Sequence, residues 1–312
     1  AGWRISHVAQ ETPALQRRAL DYAIDGDTHL RKLEAELAQR ESEPQDAASG
    51  MRIAELHTAL ADAGAYTVRS RAEQLLSGLG FSTEEMQREV ATFSGGWRMR
   101  LNLAQALMCP SDLLLLDEPF AAIDAKVRKE LRTWLKEMIE QLGITRIFVT
   151  HDQEEAIEVA DEIIITNRGH IEQKGTPIEI YQHPQTAFTA GFFGQTSLIR
   201  NYQKIPSFDS IPGADHAIIR PEFVSVTKKN EIQKYKSSAV EGTVEKVLFK
   251  GDNMELTIRI CDTIITAKRG LQEEAIHEGE KVDVFVYRLF VTAGDKAYQL
   301  ENNSLKEDSM VI

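Results

Sequence analysis

The sequence predicts an α/β domain, a parallel sheet with a helical subdomain, followed by a small all-β domain. Three observations predict it. Short apolar runs at 112–117, 145–150 and 162–166 alternate with helical patterns, the order expected of strands buried on both faces of a parallel sheet. Between about residues 20 and 108 the apolar residues recur at helical spacing. From about Ser197 onward, short β-type runs separated by Gly, Asn, Asp and Lys take over.

Each element has its own signal. "HLRKLEAELAQRE" places Leu30, Leu33 and Leu37 on one helical face, and "SEPQDAASG" interrupts it with turn formers. Ile53, Leu56, Leu60, Leu75 and Leu76 resume a helical pattern over 51–78, closing a helical subdomain near Phe81. "DLLLLD" is a continuous apolar strand. The next helix, Ala125 to Leu142, lines up Val127, Leu131, Leu135, Met138 and Leu142 and stops before Gly143. "TRIFVT" is a second buried strand, "EEAIEVA" a helix and "EIIIT" a third strand. "NRGH" reads as a hairpin turn into "IEQKG", and "TPIEIYQHP" opens a short helix. "HAIIRPEFVSVT", "SAVEGTVEKVLFKG", "NMELTIRI", "DTIITAKR" and "KVDVFVYRLFVTAG" then supply the strands of a barrel or sandwich.

The 312 residues suffice for about two domains, placed at 1–196 and 197–312. A net charge of -12 argues against a broad phosphate-binding surface and leaves room for a local basic patch. Two cysteines, Cys109 and Cys261, are too few and too far apart for a disulfide framework or a metal site. No apolar run reaches the roughly 18 residues a membrane span needs, and the N-terminus carries no secretory pattern. A cytoplasmic protein is expected. Residues 1–119 hold 11 Arg, 1 Lys and 3 Ile, whereas residues 120–312 hold 9 Arg, 15 Lys and 23 Ile. Arg and Lys are near-equivalent helix formers on solvated faces, so folding does not account for the switch. Two coding sources of different base composition, joined near Pro119, would.

Three stretches could carry chemistry. In "FSGGW" a Ser-Gly-Gly turn opens a helix, so unpaired backbone N–H groups stand at the positive end of a helix dipole. Ser94, Gly95 and Gly96 there suit a phosphate oxygen, and equally a plain N-cap. Asp117 and Glu118 end a buried strand, where open α/β sheets bind their ligands. Such a pair can divide two tasks, holding Mg²⁺ through water and orienting an attacking water. A solvated acidic turn before Pro119 is the other reading. His151 follows the second strand in "IFVTHD", on the same sheet edge as Glu118, where an imidazole can donate to a phosphate or serve as an ordinary loop histidine.

Together the three stretches resemble the second half of an ABC-type ATPase domain over about residues 4–195. "FSGGW" resembles its signature motif, "LLLLDEP" the Walker B motif, "AAIDA" the D-loop and "VTHD" the H-loop. The resemblance implies Mg²⁺ on Asp117, the hydrolytic water on Glu118 and the γ-phosphate of ATP on His151. It puts Asp124 at a dimer interface and makes Gln10, in "VAQETPA", the Q-loop residue that senses Mg²⁺ and water. Two branches of the family are involved. Residues 3–119 resemble the first ATPase domain of ABC-F proteins, which act on ribosomes. Residues 120–312, through "VTHDQEEAIEVAD", "GTPIEIYQHP" and "IIRPEFV", are similar to ATPase subunits of sulfate-type bacterial importers, with a tail like their OB-like TOBE domain.

The phosphate-binding loop of this fold, G-x-x-x-x-G-K-[ST], cradles phosphates with backbone N–H groups and a Lys. No Gly-Lys dipeptide occurs among the 312 residues. The chain is therefore expected to be an incomplete domain, to hydrolyse ATP weakly or not at all unaided, and to expose apolar sheet surface and an unpaired edge that favour aggregation. By the resemblance its partners are a second ABC ATPase subunit, whose phosphate loop would complete one site, and membrane permease subunits. That would place it in the cytoplasm, peripheral at the inner face of the membrane, with no direct nucleic acid. The alternatives are a ribosome-associated ABC-F fragment and a recombined chain with no evolved activity.

Overall fold

A computed structural model describes residues 3–8, 15–43, 47–120, 123–214, 216–231 and 234–307. Contacts divide the chain into two compact units, Ala1–Val159 and Ala160–Ile312.

The sheet of the first unit is parallel throughout. Strand β1 (Ile5–His7) pairs with β2 (Leu113–Asp117), and β2 pairs with β3 (Thr145–Val149), giving the order β1-β2-β3. Six helices surround the chain's path between these strands: α1 (Ala19–Ile24), α2 (Thr28–Ser42), α3 (Ala47–Asp62), α4 (Val68–Gly78), α5 (Gly95–Met108) and α6 (Ala125–Leu142). A seventh, α7 (Gln153–Val159), follows β3. Asp27 caps α2 by accepting from the Leu30 N–H at 3.1 Å, the geometry that satisfies an otherwise orphaned donor. The helical pattern over 51–78 is divided between two helices, because Gly64 takes a left-handed φ of 77° and turns the chain between α3 and α4. Helix α6 has the predicted bounds, and Gly143 closes it at φ 63°.

Alternation in β2 decides the core. Leu114 and Leu116 are fully buried and share one cluster with Leu103, Leu107, Leu131 and Leu135. The opposite face is open: Ile5 is 61%, Leu115 36%, Ile147 49% and Val149 48% exposed. Leu115 and Ile147 are register partners, so these side chains form one apolar surface. By residue type the strand reads as buried on both faces, whereas an incomplete sheet is expected to bare apolar surface, as this face does. Among the described residues one face alone is covered, because the helices that share a core with the sheet pack against the Leu114 and Leu116 side.

The second unit opens with β4 (Ile163–Asn167) and β5 (His170–Gly175), paired antiparallel with each other. The "EIIIT" segment is thus one arm of a hairpin rather than a third parallel strand. Arg168 and Gly169 both adopt positive φ, 49° and 81°, as a tight two-residue hairpin turn requires. Helices α8 (Pro177–Gln182) and α9 (Ala187–Phe192) follow, the first with a capping box between Thr176 and Glu179.

Among the described residues nine antiparallel strands follow: β6 (Ser197–Arg200), β7 (His216–Ile219), β8 (Val224–Lys228), β9 (Val240–Phe249), β10 (Asn253–Ile260), β11 (Thr263–Gly270), β12 (Lys281–Val286), β13 (Arg288–Ala293) and β14 (Lys296–Glu301). They form a five-stranded sheet, β11-β10-β9-β12-β8, and a four-stranded sheet, β14-β13-β7-β6. Both contribute to one core containing Ile219, Val226, Leu256, Ile258, Ile265, Val284 and Leu289. Buried Arg220 ties the preceding helices to these strands, donating to the carbonyl oxygens of Tyr181 at 2.5 Å and Ala190 at 3.3 Å. Its guanidinium lies over the rings of Tyr181 and Phe290.

Candidate functional site

The parallel register builds the site. Asp117 is the partner of Val149, so the residues that follow each strand leave the sheet at one edge. The Glu118 N–H donates to the Val149 carbonyl at 2.9 Å, one last rung of the ladder. Glu118 then takes a φ of 45°, a left-handed backbone that costs a residue with a Cβ about 1–2 kcal/mol. This turn brings its carboxylate to the imidazole of His151, with Glu118 Oε1 and His151 Nδ1 2.5 Å apart.

Hydrogen bonding to Glu118, and then its negative charge, raise the His151 pKa above the ordinary histidine value; Asp152 and Glu155 add smaller contributions. Both groups remain open to solvent, the His151 side chain at 79% exposure and Glu118 at 43%. An exposed carboxylate and imidazole in contact can pass a proton between them, orient a water or face a phosphate. Asp117, half-buried one residue earlier, ends the strand itself.

Ser94 occupies the N-cap of α5 with extended backbone, yet its side chain makes no capping hydrogen bond. The hydroxyl is exposed and Gly95 opens into space, since a Cβ built there meets nothing within 4 Å. Neither steric crowding nor a positive φ requires glycine at this position. Such a turn can receive an anionic oxygen. Behind it Trp97 packs edge-on to Phe81 at 4.7 Å and the Arg100 guanidinium covers the indole. No hydrogen bond or ion pair among the described residues joins Ser94, Gly95 or Gly96 to Glu118 or His151.

Asp124 caps α6, accepting from the Val127 N–H at 3.2 Å. Gln10 lies outside the described residues. Among the described residues no group of three or more His, Cys, Asp and Glu could hold a metal ion unaided. Asp117 is a single half-buried carboxylate at the strand end, a donor of the type Mg²⁺ takes where phosphates and waters would supply its other ligands. The sequence reading passed over Arg128, which donates to the Ile123 carbonyl at 2.9 Å and to Asp152 at 3.3 Å. Its signal was an Arg four residues after Asp124, facing the acidic run "HDQEEAIE".

Residues 5–121 match the ABC transporter family and residues 217–286 match the TOBE domain. The chain carries a mixed α/β ABC ATPase fold with a parallel sheet, followed by a β-rich TOBE-type domain. The sulfate/thiosulfate import ATP-binding protein CysA of Synechocystis sp. is 40% identical over 207 residues, 62% of this chain and 55% of that protein. CysA 2 of Rhizobium meliloti is 52% identical over 132 residues, 42% of this chain and 36% of that protein. The "Probable ATP-binding protein YheS" of Escherichia coli K12 is 46% identical over 172 residues, 55% of this chain and 25% of that protein. This chain thus spans about half the length of the Synechocystis relative and a quarter of YheS. A metal-chelate type ABC transporter in an inward-facing conformation covers 57% of this chain and 61% of its own at a TM-score of 0.41 and 21% identity. No helix of the described residues is long and apolar enough to cross a membrane.

Proposed function

We propose that the chain supplies one face of an ATP site as the ATPase subunit of a bacterial ABC importer for sulfate-type anions, and hydrolyses ATP weakly or not at all unaided. The observation that carries this reading is the Glu118–His151 pair at the carboxyl edge of a parallel sheet, 2.5 Å apart. ATP and Mg²⁺ would supply the phosphoryl chemistry. Asp117 would reach Mg²⁺ through water, Glu118 would orient the attacking water and His151 would contact the γ-phosphate. Ser94, Gly95 and Gly96 would hold the phosphates of a nucleotide seated on the phosphate loop of a second ABC ATPase subunit, with Asp124 at the shared interface and Gln10 near Mg²⁺. Membrane permease subunits would be the further partners, placing the protein at the inner face of the membrane. The CysA relatives support the importer assignment; the missing Gly-Lys dipeptide supports the unaided deficiency.

The test is a crosslink. A photoreactive group on Ser94→Cys, in a background lacking Cys109 and Cys261, is mixed with an intact ABC ATPase subunit and a non-hydrolysable ATP analogue. Nucleotide-dependent crosslinking is expected. Absence of any crosslink under these conditions would sink the reading.

A second reading, that residues 3–119 and 120–312 have separate origins, draws on the Lys and Ile switch near Pro119. On that reading the seam falls within the shared "LLLLDEP", and residues 3–119 would be a fragment of a ribosome-associated ABC-F protein. Genomic DNA read across the codons around Pro119 tests it: one continuous gene with uniform codon usage would contradict it. Ribosome co-sedimentation that survives high salt would favour the fragment over the importer.

A further inference from the structure

We propose that Arg128 is a positioning residue, setting the loop that bears His151 against the loop that bears Asp124. It stands in the first turn of α6, where its N–H donates to the Asp124 carbonyl at 2.9 Å. One terminal nitrogen of its guanidinium donates to the Ile123 carbonyl at 2.9 Å. The other reaches Asp152 Oδ2 at 3.3 Å and Glu155 Oε1 at 3.9 Å. One side chain therefore grips the segment entering α6 and the segment entering α7.

The far end of this tie is stiff. The Asp152 N–H donates to Thr150 Oγ1 at 2.9 Å, and Thr150 Oγ1 donates to Glu155 Oε2 at 2.7 Å. Asp152 Oδ1 accepts from the N–H groups of Glu154 at 2.9 Å and Glu155 at 3.3 Å. Glu155 is buried. His151 sits between the two anchored residues Thr150 and Asp152 while its own ring is mostly in solvent, held by Glu118. Where that ring stands is thus set by the frame around it, and Arg128 joins the frame to the Asp124 loop. A second tie, Arg132 to Glu158 at 3.0 Å, lies one turn further along α6; it joins the helices and leaves the loop alone. A planar guanidinium can serve two loops at once, whereas an ammonium is a point charge, so Lys cannot replace Arg128.

The inference rests on the reading that His151 and Asp124 belong to one nucleotide site, but its test needs no nucleotide. The probe is the ¹⁵N resonance of His151 Nδ1 in the full chain at neutral pH, bracketed by the unaltered chain and by Glu118→Ala, which removes the contact. Arg128→Met and Arg128→Lys are expected to move the resonance at least half-way to the Glu118→Ala position. Amides of 123–127 and 150–155 should exchange about tenfold faster. Arg132→Met should move neither. A resonance unmoved in Arg128→Lys, or moved equally by Arg132→Met, overturns the proposal. The Lys variant keeps the charge, so it remains readable if the Met variant fails to fold. A chain that never binds ATP leaves this outcome untouched, so the two readings fail separately.

Discussion

The two units treat the same strand chemistry differently. In β12 Val282, Val284 and Val286 are buried in the core shared by the two sheets of the second unit, and Phe285, on the strand's other face, is buried against Tyr235 and Tyr287. In β3 of the first unit Ile147 and Val149 are about half exposed, and Leu115 and Ile5 extend the same bare face. Apolar, β-branched residues identify a strand in both places. What covers the strand is a property of the whole assembly, and in the first unit one face of the sheet has no cover among the described residues. The difference separates what residue type encodes from what a partner layer must add.

All three tryptophans, Trp3, Trp97 and Trp134, lie in the first unit. Their fluorescence in a urea titration therefore follows that unit, while far-UV circular dichroism follows both. The strongest expected effect is Gly26→Ala, whose new Cβ would stand 1.8 Å from the Gln105 carbonyl oxygen, a backbone atom that cannot step aside. A loss of about 4 kcal/mol or more is expected, abolishing the tryptophan transition while the β-rich transition survives. Loss of both transitions would mean that the units do not fold independently.

Next comes Phe290→Ala in the second unit. The ring is fully buried, 5.9 Å from Phe223 and beneath Arg220. About 3–5 kcal/mol should be lost with the tryptophan transition unmoved. Asp124→Ala should cost the first unit about 1 kcal/mol as α6 loses its cap.

The open face gives a smaller stability effect. Ile147→Lys should change the first unit's stability by less than about 0.5 kcal/mol, whereas Leu116→Ala, a full burial one strand away, should cost about 2–5 kcal/mol. The same Ile147→Lys change should shift material from aggregate to monomer in sedimentation velocity. A large stability loss would show that the face is covered after all.

Smaller still is the pH effect at His151. Its folded pKa lies above the ordinary value, so the Glu118 contact contributes fully at pH values below the unfolded histidine range. It fades as pH rises through the raised folded value. An NMR titration should find the imidazole protonated above the usual midpoint, and Glu118→Gln should return it there.

Much of this architecture was legible in the chain. Strands β2 and β3, helix α6 with its Gly143 stop, the hairpin at Arg168-Gly169 and the start of the β region at Ser197 are local patterns, and local patterns write themselves into sequence. Glu118 and His151 were paired by a topological argument that needed only two parallel strands in register. Three features escaped. Gly64 breaks a helical pattern that periodicity alone carries through. The antiparallel pairing of "EIIIT" depends on which strand it meets, and residue type does not report that. Arg128 was passed over because its contacts, a nearby carbonyl and a carboxylate on another loop, come together only in the fold.

The central proposal is that these 312 residues, among which no Gly-Lys dipeptide occurs, supply one face of a nucleotide site and take the phosphate loop from a second subunit. A titration of the 312-residue chain with a fluorescent, non-hydrolysable ATP analogue and Mg²⁺ tests it most directly. The expected result is no saturable binding up to about 1 mM by the chain alone, and saturable binding once an intact ABC ATPase subunit carrying a Glu-to-Gln change at its own Walker B is present. Micromolar saturation by the chain alone would contradict it.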